Sequence, residues 1–167
     1  MKKLGLIVNP VAGMGGRVGL KGSDGLEALA RAKELGAVPE SPKRAIEALK
    51  MLLPIADRFE IVTYPHEMGE DEATQAGFRL VVVGKIIAGA TTPNDTRAAA
   101  LAMQKAGTDL LLFCGGDGTA RDIHDAIGDS ITVLGIPAGV KIHSGVYATT
   151  PRDAGRVARR FLEDEST

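Results

Sequence analysis

Short apolar segments alternate along this chain with helix-forming segments, and this alternation restricts the possible folds more than any other feature. Two of the apolar segments, Leu80–Val83 and Leu110–Phe113, contain no polar residue, which is typical of parallel strands covered on both faces. Strands that alternate with helices predict a three-layer α/β fold with a Rossmann-like, doubly wound parallel sheet. The five predicted strands are Lys3–Val8, Phe59–Tyr64, Leu80–Val83, Asp109–Cys114 and Ile131–Ile136.

Three of the predicted helices begin at a Ser or Thr followed by proline. In this arrangement the hydroxyl caps the first turn, and proline takes the first helical position. At the second start, Asp95 follows Thr92 by three residues, which is the spacing of a capping box. The starts and their helices are Ser41 before Arg44–Leu53, Thr92 before a helix to about Lys105 that stops at Gly107, and Thr150 before Ala154–Leu162.

The size and composition are those of one globular domain. For 167 residues without a linker or repeat we predict a single α/β nucleotide-binding domain, with a core over about 1–150 and a terminal helix over 151–162. The 20 basic and 21 acidic residues nearly balance, which argues against a nucleic-acid partner. The single cysteine, Cys114, excludes an internal disulfide. Because no apolar run suits a secretory signal or a membrane span, we expect a cytoplasmic protein with no membrane partner.

The segment Gly115-Gly116-Asp117-Gly118-Thr119 is the strongest candidate for a functional site. It follows a predicted strand and precedes a predicted helix, Ala120–Ile127. Its glycines let successive N–H groups point at an anion, and the helix start adds the positive end of its dipole. Asp117 has two interpretations: it accepts the proton of an attacking hydroxyl or holds Mg²⁺ against phosphates, or it only caps the helix.

A first loop after Lys3–Val8 also contains several glycines. Its residues Asn9, Gly13, Gly15 and Gly16 lack the spacing of a dinucleotide fingerprint, and the chain has no Walker A sequence. The loop is therefore either a backbone cradle for phosphate or a surface loop.

A third loop follows the last predicted strand. Its Lys141, close to Gly139, either supplies a point charge to a phosphate or lies exposed in a turn. One turn beyond the glycine-aspartate segment, Asp122 is a candidate ligand of magnesium or water. The histidines lack the spacing of a zinc site, so we predict no metal held by the protein alone.

In their order, these motifs resemble one superfamily of kinases. The segment from Gly115 to Thr119 is similar to the signature of NAD kinases, diacylglycerol and sphingosine kinases and, in variant form, phosphofructokinases. Three further similarities are the first nucleotide loop (Asn9-Pro10, Gly13, Gly15), a threonine and an aspartate ahead of the signature strand (Thr92, Asp95), and a proline-glycine loop (Ile136-Pro137-Ala138-Gly139). The whole arrangement is most similar to the ATP-NAD kinase-like branch.

This resemblance implies the fold of an NAD kinase N-terminal domain and ATP-dependent phosphorylation of the ribose 2′-hydroxyl of NAD. Mg²⁺ is expected through the nucleotide phosphates, and Asp117 is the expected general base. Thr92, Asp95 and Asp122 are expected in supporting roles. The residues expected to bind nucleotide are Asn9, Gly13, Gly15, Gly16, Gly115, Gly116, Gly118, Thr119, Gly139 and Lys141.

The sequence departs from NAD kinases in one respect. Those enzymes carry an Asn-Glu pair and a Gly-Ser-Thr-Ala-Tyr segment in a second, β-rich domain, and this sequence contains neither. We therefore expect it to correspond to the N-terminal lobe, and the family resemblance implies a homo-oligomer. Two other functions remain open: a kinase of the same superfamily that acts on a lipid or sugar hydroxyl, and a non-catalytic nucleotide sensor.

Overall fold

The computed structural model describes residues 1–12, 40–138 and 147–164, which form a parallel sheet between two layers of helices. Short 3₁₀ turns, Leu53–Arg58 and His66–Met68, lead into the second strand and the second helix. Strands β1 to β5 are Lys2–Val8, Phe59–Thr63, Leu80–Val82, Leu110–Gly115 and Thr132–Pro137. Helices α1 to α5 are Ser41–Lys50, Glu70–Ala76, Pro93–Lys105, Asp117–Ile127 and Pro151–Glu163.

The strand order is β3-β2-β1-β4-β5, and every neighbouring pair is parallel. Helices α1, α2 and α5 pack on one face of the sheet, and α3 and α4 pack on the other. The direction of the chain across the sheet reverses between β1 and β4, so the loops that leave these strands diverge and open a crevice. The predicted doubly wound α/β fold is confirmed. Among the described helices, none is long and apolar enough to cross a bilayer.

The central strands are buried on both faces, as their apolar sequences predict. In β4, Leu110, Leu112 and Cys114 point towards α1 and α5, whereas Leu111 and Phe113 point towards α3 and α4. The same prediction is wrong for β3. This strand lies at the edge of the sheet, and Val81 and Val82 are 45% and 39% exposed.

The start of α1 differs from the prediction. Glu40, not Ser41, is the N-cap residue, and it makes no capping hydrogen bond with its side chain. Ser41 is the first helical residue and is fully buried, where its hydroxyl donates to the backbone oxygen of Ala12 at 3.1 Å. The hydroxyl therefore ties the helix to the chain that leaves β1. The helix also ends at Lys50, before the predicted end at Leu53.

Other boundaries also differ, while two capped starts are confirmed. Helices α4 and α5 each begin three residues before the predicted start, at Asp117 and Pro151. Strands β4 and β5 are shifted by one residue and end at the paired Gly115 and Pro137. Helix α2 has no counterpart among the predicted helices, because at seven residues it is too short to show a helical period. Thr92 and Thr150 do cap α3 and α5.

Glu72, in α2, is a buried carboxyl group in the core of the protein. Glu72 is only 2% exposed, and neither of its carboxylate oxygens has a hydrogen-bond partner among the described residues. Burial raises the pKa of Glu72 to about 8, and the nearby Asp71 and Glu67 raise it further, while the backbone amides of Glu72 and Gly69 offset part of the effect. The group is therefore protonated at neutral pH.

We expect the stability of the protein to fall as the pH rises from about 4.5 to about 8. Over this interval the unfolded chain has lost the proton of Glu72, but the folded protein still holds it. Glu72→Gln should remove this slope and raise the free energy of unfolding at pH 8, by an amount on the order of 3 kcal/mol. Urea unfolding at several pH values measures it. The matched control is Glu47→Gln, at a half-exposed position on α1. If the free energy of unfolding of E72Q and of the unsubstituted protein changed with pH in parallel, the raised pKa of Glu72 would be contradicted.

Candidate functional site

Asn9 and the glycine-aspartate segment meet at the crevice between β1 and β4. The N–H of Asn9 donates to the oxygen of Cys114 at 2.8 Å and so continues the pairing of the two strands. The Asn9 side chain then donates from Nδ2 to Thr119 Oγ1 at 3.0 Å, and its Oδ1 accepts the N–H of Val11 at 3.2 Å. Both ends of this amide are thus engaged within the protein, and they join the first loop to the start of α4.

Gly115 permits the close packing that brings this segment together. A Cβ atom at Gly115 would lie 2.4 Å from Thr119 Oγ1 and 2.6 Å from Thr119 Cβ. Thr119 is buried and also holds Asn9. A side chain at Gly115 would therefore displace the threonine that connects the two loops, and glycine is required here for space.

The helix start places backbone N–H groups beside Asp117. Gly116 is the N-cap residue of α4, with extended backbone, and Asp117 is the first helical residue. The first helical hydrogen bond runs from Ala120 N–H to Gly116 O at 3.1 Å, so the amides of Asp117, Gly118 and Thr119 point out of the helix. These amides and the helix dipole suit an anionic group such as a phosphate. Gly116, and not Asp117, is the N-cap residue, so Asp117 lies in the first turn of α4 and its role stays a prediction.

A cavity of about 700 Å³ extends from Asp117 along α4 towards the edge of the sheet. Phe113, Ile131 and Val133 form an apolar floor, while Arg121 and His124 provide polar groups from the helix. This combination of a flat apolar surface with a few polar groups is typical of pockets for small organic ligands. The cavity places such a ligand next to the carboxylate of Asp117.

The supporting residues lie on the helices that hold α4 in place. Thr92 and Asp95 form the capping box of α3, in which the Thr92 N–H donates to the Asp95 carboxylate at 2.8 Å. Asp122 accepts a hydrogen bond from Arg97 of α3 at 2.9 Å, in a partly buried ion pair. The Asp122 carboxylate therefore links α4 to α3, and its predicted role towards magnesium or water stays a prediction.

Five of the predicted nucleotide-binding residues lie outside the described residues. Four are glycines of the first and third loops, and the fifth is the lysine of the third loop: Gly13, Gly15, Gly16, Gly139 and Lys141. Their roles stay predictions. The described part of the site consists of Asn9 and the segment from Gly115 to Thr119.

Tyr147 is the site residue that the sequence analysis missed. Its hydroxyl donates to the backbone oxygen of Gly115 at 3.0 Å, and its ring packs edge-on against Phe113 with centroids 5.3 Å apart. Tyr147 has no sequence motif around it, and only its position directly after the third loop places it near the site. Cys114 also adjoins the site, but burial raises the pKa of its thiol to about 12, so it is a packing residue.

One surface cluster of metal-ligating groups occurs among the described residues. Ligand atoms of His66, Glu70 and Asp71 lie within 4.8 Å of one another. The Glu70 carboxylate also accepts a hydrogen bond from the N–H of His66 at 2.8 Å. The cluster is solvent-exposed and lies away from the crevice. Acidic groups at a protein surface commonly lie this close without a metal, so the cluster does not extend the site.

The comparison with protein families agrees with this geometry. The sequence model of the ATP-NAD kinase N-terminal domain matches residues 4–166. The chain therefore belongs to this family and has its kinase-like nucleotide-binding fold. No curated protein and no solved structure matches the chain.

We expect the hydrogen bond between Asn9 and Thr119 to stabilise the site measurably. Thr119→Val keeps the shape of the side chain but leaves the Asn9 amide without its partner, and Asn9→Ala removes the other side of the bond. A double-mutant cycle by urea unfolding should give a coupling free energy of roughly 0.5–1.5 kcal/mol between the two positions. Additive single effects would mean that the two loops are held together by other contacts.

Proposed function

We propose that this domain binds the phosphates of ATP at the crevice between β1 and β4 and takes part in phosphorylating the 2′-hydroxyl of NAD to give NADP. The observation that carries the proposal is the position of Asp117. Its carboxylate sits on the first turn of α4, beside outward-pointing amides and at the end of the cavity. A carboxylate so close to a phosphate-binding helix start repels phosphate, which argues for a chemical role at that position.

Asp117 is proposed to act as the general base. The acceptor hydroxyl lies in the cavity and donates its proton to the Asp117 carboxylate as its oxygen bonds to the γ-phosphorus of ATP. The bond between that phosphorus and the β,γ-bridging oxygen breaks, and ADP leaves with the electron pair. The protein contributes little covalent chemistry to such a transfer, because positioning and electrostatic stabilisation provide most of the rate enhancement.

The backbone of the signature is proposed to hold the donor. The backbone N–H groups at the start of α4 orient the phosphates. The hydrogen bond between Asn9 and Thr119 keeps the first loop and α4 at a fixed separation. Mg²⁺, bound through the phosphates of the nucleotide, neutralises their charge when present. The carboxylate of Asp117 and the anionic phosphates make the crevice attractive to such a cation.

The acceptor is proposed to contact a second, β-rich domain as well, as the resemblance to NAD kinases implies. The lining of the cavity beside α4 includes Val133 of the edge strand β5, and an adjoining domain would enclose a ligand there. A homo-oligomer and a cytoplasmic setting belong to the same proposal.

Calorimetric titration of this chain tests the proposed donor site. We expect ATP with Mg²⁺ to bind more tightly than NAD, because the described part of the site supplies phosphate-binding amides, whereas the acceptor contacts are shared with a second domain. The control is Gly115→Val, which should abolish binding by driving Thr119 out of its place. Absence of ATP binding at millimolar concentration would contradict the proposed donor site.

Asp117→Asn tests the proposed general base in a protein that carries this domain together with the acceptor-binding domain. We expect nucleotide affinity to be retained and NADP formation to fall by about 10²–10⁴-fold, the usual contribution of a general base. Asp125→Asn, at an exposed position on the same helix, is the matched control and should leave turnover unchanged. Unchanged turnover in D117N would remove Asp117 from the mechanism, and NADP formation that is absent even in the unsubstituted protein would favour a nucleotide sensor.

A further inference from the structure

The peptide group between Gly115 and Gly116 joins the end of β4 to the N-cap of α4. Neither residue has a side chain, so rotation of the peptide plane between them meets little steric resistance. The direction of this plane matters, because the peptide bond is planar and trans: the Gly115 oxygen and the Gly116 N–H point in opposite directions. A hydrogen bond that fixes the direction of the Gly115 oxygen therefore also fixes the direction of the Gly116 N–H.

Tyr147 provides that restraint. Its hydroxyl donates to the Gly115 oxygen at 3.0 Å. Gly115 is the last residue of β4. The hydrogen bond from the Tyr147 side chain therefore reaches the Gly115 oxygen at the point where the strand ends.

Three contacts keep the Tyr147 ring in place. It packs edge-on against Phe113, at an interplanar angle of 68°. It also occupies the space above Gly135, where a Cβ atom would lie 2.5 Å from Tyr147 Cδ1. Next to it, the N–H of Ala148 donates to the Gly135 oxygen at 3.1 Å, so the backbone at Tyr147 is fixed to β5. Because the Tyr147 ring has contacts on both sides, its hydroxyl is held in one position.

We propose that Tyr147 is a positioning residue of the site, whose hydroxyl sets the direction of the Gly115–Gly116 peptide and hence the aim of the Gly116 N–H at the donor phosphates. Burial raises the pKa of the Tyr147 phenol well above its usual value, and the charge of Asp117 and the proximity of Cys114 raise it further. The phenol therefore remains a hydrogen-bond donor throughout the pH range in which the protein is assayed. Its effect on nucleotide binding rests on the proposed function, whereas its effect on the peptide does not.

Tyr147→Phe tests the inference, because it keeps the ring and removes only the hydroxyl. The chain contains one other tyrosine, Tyr64, which is buried directly after β2. Tyr64→Phe is therefore a matched control that removes a buried hydroxyl away from the signature.

Two readouts are compared in the two variants: the amide chemical shift of Gly116 in ¹⁵N-labelled protein, and the affinity for ATP with Mg²⁺. In Y147F we expect the Gly116 amide to shift and the affinity to fall by about threefold to tenfold, as for loss of one neutral hydrogen bond. In Y64F we expect neither change. A Y147F protein with an unchanged Gly116 amide and unchanged affinity would overturn the inference, even if its melting temperature were lower.

The two proposals fail in different ways. If the unsubstituted protein does not bind ATP, the proposed donor site fails, but the Gly116 amide shift in Y147F still decides whether Tyr147 orients the peptide. If ATP binds and the Gly116 amide does not respond to the loss of the hydroxyl, the positioning role of Tyr147 is wrong and the donor site stands.

Discussion

The hydrogen bond between Asn9 and Thr119 is the contact on which the rest of the site depends. Strands β1 and β4 are adjacent, but the chain continues from them to opposite faces of the sheet. The pairing of the two strands ends with the bond from the Asn9 N–H to the Cys114 oxygen. The Asn9 side-chain amide spans the gap between the two loops at 3.0 Å. Its partner Thr119 can approach only because Gly115 has no side chain. One asparagine, one threonine and one glycine thus fix the width of the crevice.

This arrangement changes how the asparagine and the glycines of the signature are understood. A residue at the mouth of a nucleotide crevice is readily assigned to ligand binding, but both polar atoms of the Asn9 side chain are engaged within the protein. Gly115 likewise makes room for a neighbouring side chain. The proposed chemical role then falls to fewer groups, the amides at the start of α4 and the Asp117 carboxylate. The remaining described residues of the signature hold these groups in place.

The sequence was sufficient for the fold and for the order of the elements around the candidate site. Apolar strands, capped helices and the order of motifs all reflect local chemistry or pairwise adjacency, and they placed the five strands within one or two residues of their observed ends. What the sequence did not reveal depends on three-dimensional packing. The hydroxyl of Ser41 donates to the buried backbone oxygen of Ala12, the apolar β3 lies at an exposed edge, and Glu72 is buried. Tyr147 reaches Gly115 across 32 positions of sequence, and no local pattern encodes that contact.

The two edge strands of the sheet, β3 and β5, are protected from further strand pairing in different ways. At one edge β3 pairs over only three residues, which offers few free backbone groups to another strand. At the other, the chain at Tyr147 and Ala148 lies against β5 at Gly135 and occupies part of its outer edge. Strand-to-strand joining of separate molecules, the usual route to aggregation of open sheets, is thus discouraged on both sides. Copies of this domain that associate in solution would have to do so through helices and side chains.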